Sequence, residues 1–165
     1  MQKIAFTATL AMLLAVPWPT CAQEVIRHKI PGSTFPISSA VEVPANTATI
    51  YLSGTVPPVI DPKAPKNSMA AYGDTKTQTI GVLTAIEKEL KSMHLDMSNV
   101  VKMQAFLVGD ESHGGHMDFA GFMAGYTQFF GTKHQPNLPA RSAFQVAALA
   151  NPGFRVEIEV IAVRP

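Results

Sequence analysis

Arg155-Val-Glu-Ile-Glu-Val-Ile-Ala-Val163 is the stretch whose reading decides the fold. Successive side chains of an extended chain point to opposite sides. Val156, Ile158, Val160 and Ala162 therefore share one face, and Glu157 and Glu159 share the other with Arg155. The first face is core. The second reads as a solvated face carrying local ion pairs. Working outward, Ser142 to Leu149 and Asn99 to Val108 also read as strands, and so does Thr47 to Ser53, which stops at Gly54. Between them lie two helical patterns. From Thr75 to Met93, Ile80, Leu83, Ile86, Leu90 and Met93 mark one face, with Asp74 placed to cap the start. From Met117 to Phe130, Phe119, Met123, Tyr126 and Phe130 form a second apolar stripe, read as core. Val56 to Lys66 carries Pro57, Pro58, Pro62 and Pro65 and cannot pair in a sheet, so it is a loop. Asp110 to His116 and Gly131 to Pro139 are loops as well.

This order predicts a two-layer α+β domain, a mixed sheet with two helices on one face. The other face of the sheet is left needing cover, and a partner subunit is the simplest cover.

The chain has 165 residues, 13 basic and 12 acidic, with 47% hydrophobic and 15% charged residues. It is too apolar for a disordered chain. It is too evenly charged to grip nucleic acid by general basicity. A single cysteine excludes a disulfide scaffold and a Cys-rich zinc site.

The N-terminus has its own logic. Lys3 is followed by the uncharged run Ile4 to Val16, then Pro17-Trp-Pro19 and the small-residue site Thr20-Cys-Ala22. This is the order of a secretory signal, and the run is too short to span a bilayer. The expected division is 1–22 as signal peptide and 23–165 as one domain, periplasmic or secreted, with no membrane contact after cleavage. The only cysteine, Cys21, leaves with the signal, which suits an oxidising compartment.

Few residues offer chemistry. Arg141, in Leu138-Pro-Ala-Arg-Ser142, stands at a loop-to-strand junction. Its planar fork suits a carboxylate, and an ordinary surface ion pair is the plainer alternative. His113-Gly-Gly-His116, near Asp110 and Glu111, has the donor types of a metal site. Two glycines and the lack of a nearby third histidine argue against one, so no metal is expected. GxGxxG, Walker, HExxH and GxSxG patterns are missing, and Ser142 has no visible His/Asp arrangement.

Taken together, several segments resemble the Rid family, also called YjgF-type or reactive intermediate deaminases and once labelled "endoribonuclease L-PSP". They are Ser53-Gly54 with Val56-Pro57, Gln78 with Leu83 and Ile86, Asn99-Val-Val-Lys102, Asp110, Tyr126 with Phe129-Phe130, Pro139-Ala-Arg-Ser142 and Val156 to Val163. The resemblance covers about Ile37 to Val163. It implies a chorismate-mutase-like fold and a homotrimer with clefts between subunits. It also implies cofactor-free hydrolysis of 2-imino or enamino acids to 2-keto acids and ammonia. Arg141 would grip the substrate carboxylate and Glu157 would orient water or move a proton. The Ser53-Gly54 backbone would line the same pocket. Ile37, Met123 and Ala143 occupy positions where members often carry tyrosine, asparagine and cysteine, and Glu111 to Gly115 looks inserted. A non-enzymatic binder or chaperone-like trimer would need the arginine but not the carboxylate. A ribonuclease would need a basic-aromatic stripe that this chain lacks.

Overall fold

A computed structural model describes residues 24–164. The signal and its cleavage point lie outside the described residues.

Six strands and two helices follow one another as β1 (Ile26–Lys29), β2 (Ser38–Glu42), β3 (Ala48–Thr55), α1 (Thr75–Ser92), β4 (Val100–Val108), α2 (Phe119–Tyr126), β5 (Ala140–Val146) and β6 (Val156–Arg164). The strands form one sheet in the order β1-β2-β5-β4-β6-β3. The β2–β5 and β4–β5 pairs are parallel and the others antiparallel, so the sheet is mixed. Both helices are crossover connections, α1 from β3 to β4 and α2 from β4 to the parallel neighbour β5. The α+β reading is correct.

The core lies between sheet and helices. Met103, Ala105 and Leu107 of β4 and Val156, Ile158, Val160 and Ala162 of β6 are buried, as the alternation requires. They meet Val82, Leu83, Ile86 and Leu90 of α1 and Phe122 and Tyr126 of α2. Each fully buried Val, Leu, Ile, Met or Phe among them contributes roughly 1.5–3 kcal/mol by leaving water. The buried face of α1 is rotated from the sequence reading. Gln78, Thr79 and Val82 are buried, whereas Ile80 and Met93 are only partly so. The rotation follows from α2 lying close by. At Gly125 a side chain would run into Thr79, so two small residues let the helices approach.

Local chemistry sets the ends of α1. Asp74 accepts the Thr77 N–H at 2.8 Å, which caps the first turn and holds its carboxyl below the usual carboxylate range. At the other end His94 is left-handed (φ 59), and the N–H groups of His94 and Leu95 return to Lys91 and Leu90. That is the Schellman pattern, with histidine where glycine is usual.

Gln78, fully buried, ties three segments together. Its Nε2 donates to Gly73 O (2.8 Å) and Gly153 O (2.9 Å), and its Oε1 accepts the Arg155 N–H (2.6 Å). It therefore fixes the entry into β6.

Strands β1 and β2 had no signal in the sequence. Their hairpin pairs Ile26 with Glu42 and His28 with Ala40, but reaches β5 through the single pair Ser38–Ala140. Arg27 anchors it by donating to the carbonyls of Val100 (3.0 Å), Leu138 (2.8 Å) and Ser98 (2.7 Å). Helix α2 is shorter than its apolar stripe. After Tyr126 the chain tightens, with Gln128 and Phe129 N–H groups bonding three residues back. No helix among the described residues is long and apolar enough to cross a membrane.

Candidate functional site

Arg141 is the second residue of β5 and pairs with the core residue Met103 of β4. Its side chain therefore rises from the helix side of the sheet, into the space under α2. It is only 9% exposed. Four rings surround the guanidinium carbon, with centroids at 4.2 Å (Tyr126), 5.0 Å (Phe122), 5.4 Å (Phe35) and 5.9 Å (Phe119). Its Nη1 donates to the Met123 thioether at 3.3 Å, and its Nε is buried without a partner. No carboxylate among the described residues lies within ion-pairing distance of it.

Burial lowers the guanidinium pKa from its ordinary value, opposed by the nearby Tyr126. The Tyr126 phenol is pushed up by burial, with the Arg141 charge pulling against it, so it stays neutral and donates to Pro36 O at 2.9 Å. The result is a cation held in an aromatic box, attracted by ring faces but without a counter-ion. Such a group retains unused N–H donors in a fork shaped for a carboxylate.

Glu157 lies elsewhere. It pairs with Phe106 of β4, on the face of the sheet turned away from the helices. Beside it β3 is bulged, since Leu52 pairs with Val160 and Thr55 with Ile158, leaving Ser53 and Gly54 together opposite Glu159. At Gly54 a side chain would meet Glu157 Oε1, so the glycine is what lets the carboxylate lie this close to the backbone. A carboxylate is thus pressed against open backbone at the bulge. Arg155 does not join it, contrary to the expected ion pairs on this face. Strand β6 begins only at Val156, and Arg155 turns its Nη1 to the carbonyls of Pro152 (2.9 Å) and Phe154 (3.2 Å).

The structure sorts the sequence-derived site residues into two sets. Arg141, Ala143 and Met123 are together on the helix side. Ile37 adjoins them through Pro36, whose carbonyl receives the Tyr126 hydroxyl, and Ser38, which pairs with Ala140. Ser53, Gly54 and Glu157 form the second set, on the open face. One copy of the chain does not bring the sets together. Two surface depressions, of about 390 and 590 Å³, include neither Arg141 nor Glu157.

The sequence reading missed the box itself. The periodicity marks Phe119 and Tyr126 as plain core and leaves Phe122 off the stripe, and Phe35, 39% exposed, lies in the N-terminal loop. The available signal was three rings in an eight-residue helix. The His113–His116 loop is a closed turn in which Asp110 pairs with His116 and caps Ser112. His113 Nε2 lies 3.6 Å from Asp118 Oδ1. No group of three His, Cys, Asp or Glu among the described residues is placed to hold a metal.

Residues 27–164 match the family described as Endoribonuclease L-PSP. Two relatives carry the name 2-iminobutanoate/2-iminopropanoate deaminase. One, from Capra hircus, is 36% identical over 82% of this chain and 85% of its own length. The other, from Homo sapiens, is 34% identical over the same shares. Among solved structures, E. coli TdcF with bound serine is similar at TM-score 0.55 and 26% identity, covering 87% of this chain and 99% of that one. A Rid protein family structure from Yersinia pestis, YyfB, reaches TM-score 0.61 at 23% identity over 86% of this chain and 98% of its own, and speaks for the fold alone.

Proposed function

Starting from a chain that belongs to the Endoribonuclease L-PSP family, the Rid or YjgF proteins, we propose that it hydrolyses 2-imino or enamino acids to 2-keto acids and ammonia. The observation that carries this reading is Arg141, a guanidinium nine-tenths buried with an orphaned Nε and no carboxylate beside it. Nothing in the fold needs an unpaired buried cation, since burying one costs free energy. A ligand carboxylate gripped by two parallel N–H donors supplies the missing partner.

The reaction then needs a second group at the imine carbon. Glu157 is suited to accept a hydrogen bond from water and aim it at C2 of the protonated imine, which is already electrophilic and needs no cofactor. Water adds to carbon to give a carbinolamine. A proton moves from the added oxygen to nitrogen, the C–N bond breaks, and ammonia leaves with the keto acid. Because Arg141 and Glu157 occupy opposite faces of the sheet, the proposal requires two copies at each site. A homotrimer of three shared clefts meets this requirement and covers the open face, where Tyr51 is 75% exposed. Nucleic acid has no part in this reading.

The test is release of keto acid from freshly generated imines by the purified protein. Glu157→Gln should lower kcat by about a hundredfold with little change in KM, because an amide still hydrogen-bonds but takes no proton. Arg141→Met and Glu157→Gln chains, unfolded and reassembled together in equal amounts, should recover about a quarter of wild-type activity. In a cyclic trimer each cleft draws the two residues from different chains, and about one pairing in four is intact. No recovery would place both residues in one chain's site and remove the shared cleft. The same proposal puts the enzyme outside the cytoplasm after loss of residues 1–22, and N-terminal sequencing of the exported protein should begin at Gln23.

A further inference from the structure

Resting on that reading, we propose that the substrate carries an apolar body: an aromatic or branched aliphatic 2-imino acid, not a small or polar one. What surrounds the guanidinium carries the argument. Phe35 stacks on Phe119 with centroids 6.4 Å apart and planes 19° from parallel, so the N-terminal loop and α2 form one continuous ring wall. Phe35 is partly open to solvent, which leaves ring surface uncovered beside the cation. Met123 and Phe119 are partly buried and complete the apolar surround, and Ala143 follows Arg141 on the same face of β5.

Apart from Arg141 itself, most polar side chains of this chain near the rings are already engaged. The Tyr126 hydroxyl is spent on Pro36 O. Gln145, next on the β5 face after Ala143, uses both ends of its amide, donating to Gly115 O (2.9 Å) and accepting the Met117 N–H (2.9 Å). Asp118 accepts the Gly121 N–H at 2.8 Å, at the start of α2. Against the rings a hydroxyl, amide or second carboxylate would lose water and meet apolar surface in return. A ring or branched chain would cover the open edge of Phe35 and lose nothing polar. A hydrophobic pocket discriminates by roughly 10- to 200-fold per methylene, so the three extra carbons of a leucine-derived imine suffice for a clear preference.

The experiment has two arms. In the first, imines are generated from L-leucine, L-phenylalanine, L-alanine and L-glutamate by an amino acid oxidase, and kcat/KM is measured for each. The leucine and phenylalanine imines should exceed the alanine imine by about tenfold or more, with the glutamate imine lowest. In the second, binding of phenylpyruvate, 4-methyl-2-oxopentanoate, pyruvate and 2-oxoglutarate is measured by calorimetry on wild type, Arg141→Met and Phe35→Ser. The two apolar keto acids should bind best, and Arg141→Met should lose all of them. Phe35→Ser should narrow the preference to less than about threefold while the melting temperature falls by only a few degrees, since Phe35 is a partly exposed loop residue. Preferential binding of apolar keto acids without turnover of any imine would end the deaminase reading and leave the pocket's preference for a carboxylate with an apolar body standing. Equal or better binding of pyruvate or 2-oxoglutarate, no binding of any keto acid, or an unchanged preference in Phe35→Ser would overturn it, whatever the rate on imines.

Discussion

Arg141→Met should cut kcat/KM on imino acids by about a hundredfold or more, yet leave the fold as stable as before or more so. The two halves of this result have separate causes. A charge-assisted hydrogen bond is worth roughly 1.5–3 kcal/mol, and a two-pronged grip supplies two, so its loss is worth at least two orders of magnitude in rate. Stability moves the other way. The guanidinium is desolvated without a counter-ion, and its compensation is a thioether and four ring faces. Replacing such a charge with an apolar side chain of similar length removes the desolvation cost and keeps the packing, for a change between zero and about +2 kcal/mol. Arg141→Lys should not rescue the rate, because an ammonium has no planar fork and holds its water more tightly. Steady-state kinetics and thermal melts on the three proteins decide the matter. A variant that melts well below wild type would show the arginine to be structural, and one that keeps wild-type rates would end the carboxylate assignment.

Gln78→Leu should damage the fold as much as emptying a core position, costing about 3–5 kcal/mol and lowering the melting temperature by roughly 10–15 °C. The side chain is fully buried and makes three hydrogen bonds to the backbones of Gly73, Gly153 and Arg155. Leucine matches its bulk but leaves two carbonyls and one N–H without partners, each at about 1–3 kcal/mol. Gln78→Glu is the informative companion. It keeps the acceptor for the Arg155 N–H but replaces the donor to both carbonyls, so it should lose nearly as much near neutral pH. Denaturant unfolding of the three proteins measures both. A loss under about 1 kcal/mol for Gln78→Leu would mean that water takes over all three bonds.

What the chain reveals before it folds depends on where the information is stored. The alternation in Val156 to Val163 and the spacing of Leu83, Ile86 and Leu90 are local, and they gave the strand, the helix and the two layers. Ile26 to Lys29 and Ser38 to Glu42 have no such pattern. Their strand state comes from each other and from Arg27 reaching carbonyls more than 70 residues away. Arg141 was legible as a candidate from its residue type and junction, and Glu157 from its place in the last strand. The aromatic box was not, because Phe35 and Phe119 are 84 positions apart and meet only after α2 packs over β5. Nor did the residues alone say that Arg141 and Glu157 would be separated by the thickness of a sheet, which depends on strand register. Gln78 was visible only through the resemblance. As a polar residue within a helical pattern it points outward by default, and the rotation of α1 toward Gly125 turns it in.

The hairpin of β1 and β2 has a consequence for how the molecule loosens. It pairs with the rest of the sheet at one residue pair, and its other holds are side-chain contacts: Arg27 on three carbonyls, Ser38 Oγ donating to Leu138 O (2.7 Å), and the Tyr126 hydroxyl donating to Pro36 O. Its connecting loop carries Phe35 and Pro36, the outer wall of the arginine box. Segments with few buried contacts open at low free energy while the core stays closed. The amides of residues 26–42 therefore exchange with solvent ahead of those in β4 and β6. Opening there would part the outer wall of the box from Arg141 while the strands that hold Arg141 and Glu157 stay paired.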